Sequence, residues 1–292
     1  MNKEFNKGLL FAGFGSFWRG FFGVLYFKYI TFIGYIELVI HRCLWTTLTL
    51  ILTTFFFSKW DIFFKIIKSK QNLIYLFISG FLIFINWGVW IYAIATNKII
   101  DASFGYFIMP ILSVLLGYIF FKEKLNNKRI FSITLVILSI LYLIFVSLKS
   151  LPWVGLIVAL SWGFYNLVRK KINVETDIGL LIESLFILPI AIIIFYMIAA
   201  KGYNDFSLSN PSMMLIIFLA GPMTVIPLFL YVRGVELCGL GPSGMIFYIT
   251  PTLQFLLGFF YYDEVFSFNK LVSFIIIWFA VIIYLRDLYE TN

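Results

Sequence analysis

Apolar residues in this chain come in long blocks, and polar residues come in short interruptions between them. A helix needs about 20 consecutive apolar residues to cross the hydrocarbon core of a bilayer. Ten blocks of that order are present, over residues 8–27, 33–57, 73–96, 102–121, 130–148, 151–168, 178–200, 212–232, 241–262 and 271–286. The narrowest interruption is Lys149-Ser150. One helix over 130–168 would overshoot a bilayer, and Pro152 suits the first turn of a new helix. The first block follows Lys3 and Lys7 but continues without a small-residue cleavage signal, so it reads as a retained helix. The pattern predicts an all-α integral membrane protein with ten transmembrane helices.

Composition agrees. Of 292 residues, 62% are hydrophobic and 12% charged, against about 25% charged in a soluble domain. A soluble enzyme, a nucleic-acid-binding module and a disordered protein are excluded. The net charge of +8 comes from 22 Lys and Arg against 14 Asp and Glu. With the N-terminus inside, 15 of the basic residues fall in inner connections and 5 in outer ones, while Arg19 and Arg42 lie within spans. That bias predicts an N-in, C-in orientation, so the +8 marks topology and implies no nucleic-acid partner. Cys43 and Cys238 sit in or beside apolar blocks with no CxxC or Cys/His cluster; no disulfide, metal or cofactor is expected.

The two halves match at an offset of 141 residues. Pro110 then falls on Pro251, Leu115-Leu116-Gly117 on Leu256-Leu257-Gly258, Glu123 on Glu264 and Lys28 on Arg169. Five helices per half is an odd number, so the second half inserts upside down. This predicts two inverted five-helix repeats, residues 1–148 and 149–292, with a solute site near the midplane between them.

Charge inside a span is costly and usually faces a cavity or a partner. Arg19 lies deepest, in the first span; it keeps its charge and must face water, an anionic solute or a carboxylate, for which Glu37 and Glu183 are the partners considered. Glu37 and His41 share one face of the second span, with Arg42 about 100° round the helix. They read either as a vestibule or gate cluster or as an interfacial ion pair. Glu183, in the seventh span, reads as a proton-exchanging carboxyl or as a structural acceptor for Ser or Tyr. Trp18, Asn86, Trp87 and Tyr165 are wall candidates, with ordinary packing as the rival reading of the aromatics. Pro110 and Pro251 are read as helix hinges. The small residues Ala12, Ser16 and Gly20 form a helix-packing stripe.

The stretch Glu37-x-x-x-His41-Arg42-x-x-Trp45 resembles a motif of the RarD group in the EamA family, within the drug/metabolite transporter superfamily. Asn86-Trp87, Ala102-Ser103-Phe104-Gly105-Tyr106-Phe107-Ile108-Met109-Pro110, Phe164-Tyr165-Asn166-Leu167-Val168-Arg169-Lys170-Lys171 and Tyr248-Ile249-Thr250-Pro251-Thr252-Leu253 continue the likeness in order. Val24 stands where that family has proline and Met109 where it has asparagine, and Arg19 receives no role from the resemblance. The resemblance implies ten helices in two EamA repeats in a bacterial inner membrane.

The expected function is a secondary permease moving a small organic solute (metabolite, amino acid or drug) by alternating access, with proton coupling open and a monomer or homodimer in the bilayer. A passive channel or receptor, or an intramembrane enzyme, are the rival classes. His41 is the only histidine and no Asp lies within a span, so the enzyme reading has few residues to work with.

Overall fold

The computed structural model describes residues 3–291 except 31, 96–98, 148–152, 203, 205, 207–210 and 262–267. The described residues form helices and connections, without strands. The chain opens with α1 (Lys3–Trp18), a π-helical turn (Arg19–Gly23) and α2 (Val24–Tyr29) in one continuous rod. Then come α3 (Tyr35–Phe56), α4 (Trp60–Ile67), α5 (Lys70–Ala95), α6 (Ile99–Phe121) and α7 (Asn127–Ser147). The second half holds α8 (Trp153–Lys171), α9 (Thr176–Ala200), α10 (Pro211–Phe218), α11 (Ala220–Cys238), α12 (Leu240–Ile246), α13 (Ile249–Tyr261) and α14 (Phe268–Thr291).

Among the described residues seven helical stretches are long and apolar enough to cross a bilayer: 3–29, 35–56, 70–93, 127–146, 176–200, 212–238 and 271–290. The ten-block expectation is therefore met by this criterion only in part. Arg169, Lys170 and Lys171 occupy the last turn of α8, and a turn at Phe247-Tyr248 divides α12 from α13. The outside of the bundle is apolar. On α14, Ile275, Phe279 and Ile282 face outward while Ser273, Ile277, Ala280 and Tyr284 are buried. Aliphatic and aromatic surface of this kind is stable against lipid tails, which exact no hydrophobic penalty. The chain is a multi-pass membrane protein.

Helices pack across the two halves of the sequence. α1 lies along α11, α3 along α9 and α11, α5 along α8 and α9, α6 along α8 and α12, and α7 along α14. Small residues set the closest approach. A methyl group on Gly8, Gly15 or Gly234 would meet backbone atoms of the facing helix within 3 Å, so α1 and α11 touch almost backbone to backbone. The α11–α12 junction depends on Gly239, whose φ of 95° lies in the region that glycine alone enters readily. Ser243 Oγ then donates to the Gly239 carbonyl at 2.6 Å.

Three expectations change. A short helix, α4, fills the connection between the second and third apolar blocks. The charged residues assigned to the connection after block six are helical, and Arg169 is wholly buried. The prolines are not matched hinges. α6 continues through Pro110, whereas the break in the second half precedes Pro251, which sits in the first turn of α13. A first-turn proline removes no intrahelical bond, because that N–H has no partner in the helix. Glu264 and Pro152 lie outside the described residues.

Candidate functional site

The centre of the bundle holds a cleft enclosing about 560 Å³ of empty space. Residues of both halves line it. Gly15, Arg19, Gly23, Phe27, Arg42, Trp87, Trp90 and Tyr106 come from the first half; Trp162, Thr224, Tyr231, Phe247 and Gln254 are among those from the second. A smaller apolar cavity of about 280 Å³ adjoins it, sharing Trp87 and Leu228 and carrying Glu183 in its wall.

Arg19 enters the cleft from the π-helical turn. A π-turn adds a residue to the helical repeat, shifts the side chains after it, and recurs at functional sites. Gly20 permits it to approach α13, since a methyl there would stand 2.9 Å from the Thr250 carbonyl oxygen. Thr250 Oγ1 donates to the Ser16 carbonyl at 2.9 Å, which satisfies a backbone oxygen at the turn. The Arg19 guanidinium lies 4.3 Å from the Trp162 ring centre, 5.6 Å from Tyr106 and 5.8 Å from Phe247. Its Nη2 donates to the Tyr106 hydroxyl at 3.4 Å.

Arg42 enters the same cleft from α3 and is buried. Its guanidinium stands 4.7 Å from the Phe27 ring centre, 4.6 Å from Trp87 and 5.9 Å from Trp90. Its Nε donates to Thr224 Oγ1 at 3.0 Å. Two cations thus share one cleft, each set against ring faces. Cation–π contact recovers part of the lost hydration while leaving N–H groups free.

The Glu37, His41 and Arg42 group divides. Glu37 accepts from the Phe206 backbone N–H at 2.9 Å and pairs with His41 Nε2 at 3.2 Å. His41 packs on Phe206 and Phe195, with ring centres at 4.9 Å and 5.4 Å. That face fastens the connection after α9, while Arg42, one residue and 100° further on, turns to the cleft. Neither Glu37 nor His41 lines it.

Glu183 belongs to a separate ionic cluster. Ser79 Oγ donates to it at 2.5 Å and the Tyr165 hydroxyl at 3.3 Å. Arg169 Nε lies 3.6 Å from Glu183, and Arg169 Nη2 lies 3.5 Å from Glu236. Thr176 Oγ1 and Arg233 Nη1 donate to the other Glu236 oxygen at 2.7 Å and 2.9 Å. The expected pairing of Arg19 with Glu37 or Glu183 is absent. Glu37 is turned to α3's other face and Glu183 is taken by Arg169.

The remaining predicted wall residues are mixed. Trp87 lines the cleft. Asn86 Nδ2 donates instead to the Val158 carbonyl and Ser161 Oγ, which ties α5 to α8. Trp18 stacks on Phe22 with centres 5.1 Å apart, outside the cleft lining. Tyr165 serves Glu183 and packs on Trp162 at 5.8 Å. Tyr231 and Phe247 were not anticipated. Both look like ordinary apolar helix residues, and only the folding of α11 and the α12–α13 turn against α1 brings them to the cleft.

An all-helical multi-pass protein with a central cleft built from both halves is the class of molecule that this fold and site define. A profile of the EamA-like transporter family matches residues 6–145. The chain is 33% identical over 286 residues to "Uncharacterized transporter YojE" of Bacillus subtilis (strain 168), covering 97% of this chain and 95% of that protein. It is 32% identical over 290 residues to "Protein RarD" of Escherichia coli (strain K12), covering 99% and 97%. A solved structure described as "Crystal structure of protein" shares the fold, with a TM-score of 0.71 over 96% of this chain and 97% of that one at 13% identity. The chain belongs to the EamA-like transporter family and is a RarD-like member of it.

Proposed function

We propose that this chain is a secondary transporter that moves a small organic solute across the bacterial inner membrane by alternating access. The observation that carries the reading is the central cleft, whose walls come from both halves of the chain. Residues 1–148 and 149–292 form two inverted five-helix repeats, giving ten crossings with both termini inside. The helix pairing supports this. If α1–α2, α3, α5, α6 and α7 are exchanged with α8, α9, α10–α11, α12–α13 and α14, the pairs α3–α9, α6–α12 and α7–α14 map onto themselves. The pairs α1–α11 and α5–α8 map onto each other. The 15-to-5 split of basic residues supports the orientation.

In this reading the halves rock about the cleft, and α7 and α14, paired with each other, form its periphery. Glu183 is already held by Ser79, Tyr165 and Arg169, so its assigned role is to hold α5, α8 and α9 together, and no proton is routed through it. The test compares the metabolites of cells lacking and overproducing the protein, followed by counterflow of the hits in proteoliposomes. Saturable counterflow is expected. Linear flux without exchange would favour a passive channel and overturn the reading.

A further inference from the structure

The buried arginines of this bundle are treated unequally. Arg129 Nε meets Asp287 at 2.8 Å, and Arg169 meets Glu183 and Glu236. Arg42 is equally buried, and Arg19 is partly so, yet among the described residues neither has a carboxylate oxygen within 4.0 Å. Each makes a single hydrogen bond within the protein, Arg19 to Tyr106 and Arg42 to Thr224. A guanidinium carries five N–H donors, so most of the hydrogen-bonding capacity of both faces the cleft.

An arginine does not escape this situation by losing its proton. Two cations held together in a site of low dielectric repel each other, and removing them from water costs several kcal/mol per ion. The aromatic faces offset part of that cost. The rest is offset when something negative enters. A cationic solute would be repelled, and a neutral one would leave the charges uncompensated. The planar fork of arginine fits the two oxygens of a carboxylate or the oxygens of a phosphate, and it binds them bidentately.

We propose that the cleft is an oxyanion site and that the transported solute is a small organic anion, its carboxylate or phosphate held between Arg19 and Arg42 and its carbon body against Trp87 and Trp162. This rests on the transporter reading for the cleft's role as the solute site. The two guanidiniums come from α1–α2 and α3, and the rings of Trp162 and Phe247 come from the other half. An anion therefore neutralises one half at the surface where it meets the other.

The test is thermal unfolding of the purified protein in detergent and low-chloride buffer, with benzoate, phenyl phosphate, benzamide and benzylamine as probes. At about 10 mM a ligand with a millimolar Kd raises the unfolding temperature measurably. Benzoate or phenyl phosphate is expected to stabilise, and whichever acts at lower concentration identifies the carboxylate or the phosphate as the source. Benzamide and benzylamine are expected to be inert. Arg42→Gln and Arg19→Gln each should raise the Kd for the effective anion by roughly tenfold or more, and Arg42→Lys should lose less. The proposal is overturned if neither anion stabilises, if benzamide or benzylamine matches them, or if the Gln variants respond like the parent. Stabilisation by anions without counterflow in liposomes would leave the oxyanion site standing and remove the transporter reading. Counterflow of neutral or cationic solutes without anion stabilisation would do the reverse.

Discussion

Arg42 and Arg169 are both buried in the same bundle, and the chain surrounds them in opposite ways. Around Arg169 two carboxylates, a backbone carbonyl and a glycine gap are fitted to one guanidinium. Around Arg42 there are ring faces and a threonine hydroxyl. A compensated charge is finished within the fold and holds α8, α9 and α11 in register. An uncompensated charge in a cleft is finished by something from outside. The difference assigns structure to one arginine and solute recognition to the other, and it predicts how substitutions at each should behave.

Arg169→Leu should have the largest effect on stability. It strands Glu183 and Glu236 in the interior, a loss of about 3–5 kcal/mol for a broken buried pair. Unfolding temperature and the yield of monodisperse protein report it. Survival of this variant at the parent's unfolding temperature would break the comparison. Gly179→Ala comes next. A methyl there would collide with Arg169 Nη1, at a cost of about 1–3 kcal/mol for overpacking, and pairing it with Arg169→Leu should relieve the clash.

Glu123 should give a smaller, pH-dependent effect. It lies in the connection after α6 and accepts from the Leu240 and Gly241 backbone N–H groups at 2.7 Å and 2.8 Å, at the start of α12. Burial raises its carboxyl above the usual value of 4.5, against the lowering effect of those bonds and of Lys170 and Arg129. The folded state then holds its proton to higher pH than the unfolded state does. Its contribution to stability is fully present below about 4.5 and declines as pH rises through the raised folded-state value. Thermal unfolding of the parent and of Glu123→Gln across that range should show the decline in the parent and a flatter profile in the variant. Arg42→Gln and Arg19→Gln should change stability least, within about 1 kcal/mol, because they remove charges that nothing in the protein neutralises; unfolding temperatures without ligand check this.

Much of the fold was readable from the chain. Long apolar blocks carry their own signal, since a bilayer demands it over every crossing. Local faces were readable too, because the 100° step per residue already separated Arg42 from Glu37 and His41. What escaped depended on partners far apart in sequence. Arg169 looked like a connection charge until α9 and α11 supplied Glu183 and Glu236. Arg19 had no motif, and only the π-helical turn and the approach of Thr250 at Gly20 explain how it reaches the cleft. Pro110 and Pro251 matched in alignment but not in geometry, because the chain break at Phe247-Tyr248 comes before the second proline.

The most direct test sets Arg42→Gln beside Arg169→Leu and measures the unfolding temperature of each with and without the effective anion. Arg42→Gln should unfold near the parent's ligand-free temperature and lose the anion-induced rise. Arg169→Leu should unfold well below the parent and keep a rise in whatever fraction remains folded. An Arg42→Gln protein that unfolds as early as Arg169→Leu, or that still gains the parent's full rise with the anion, would contradict the division between them.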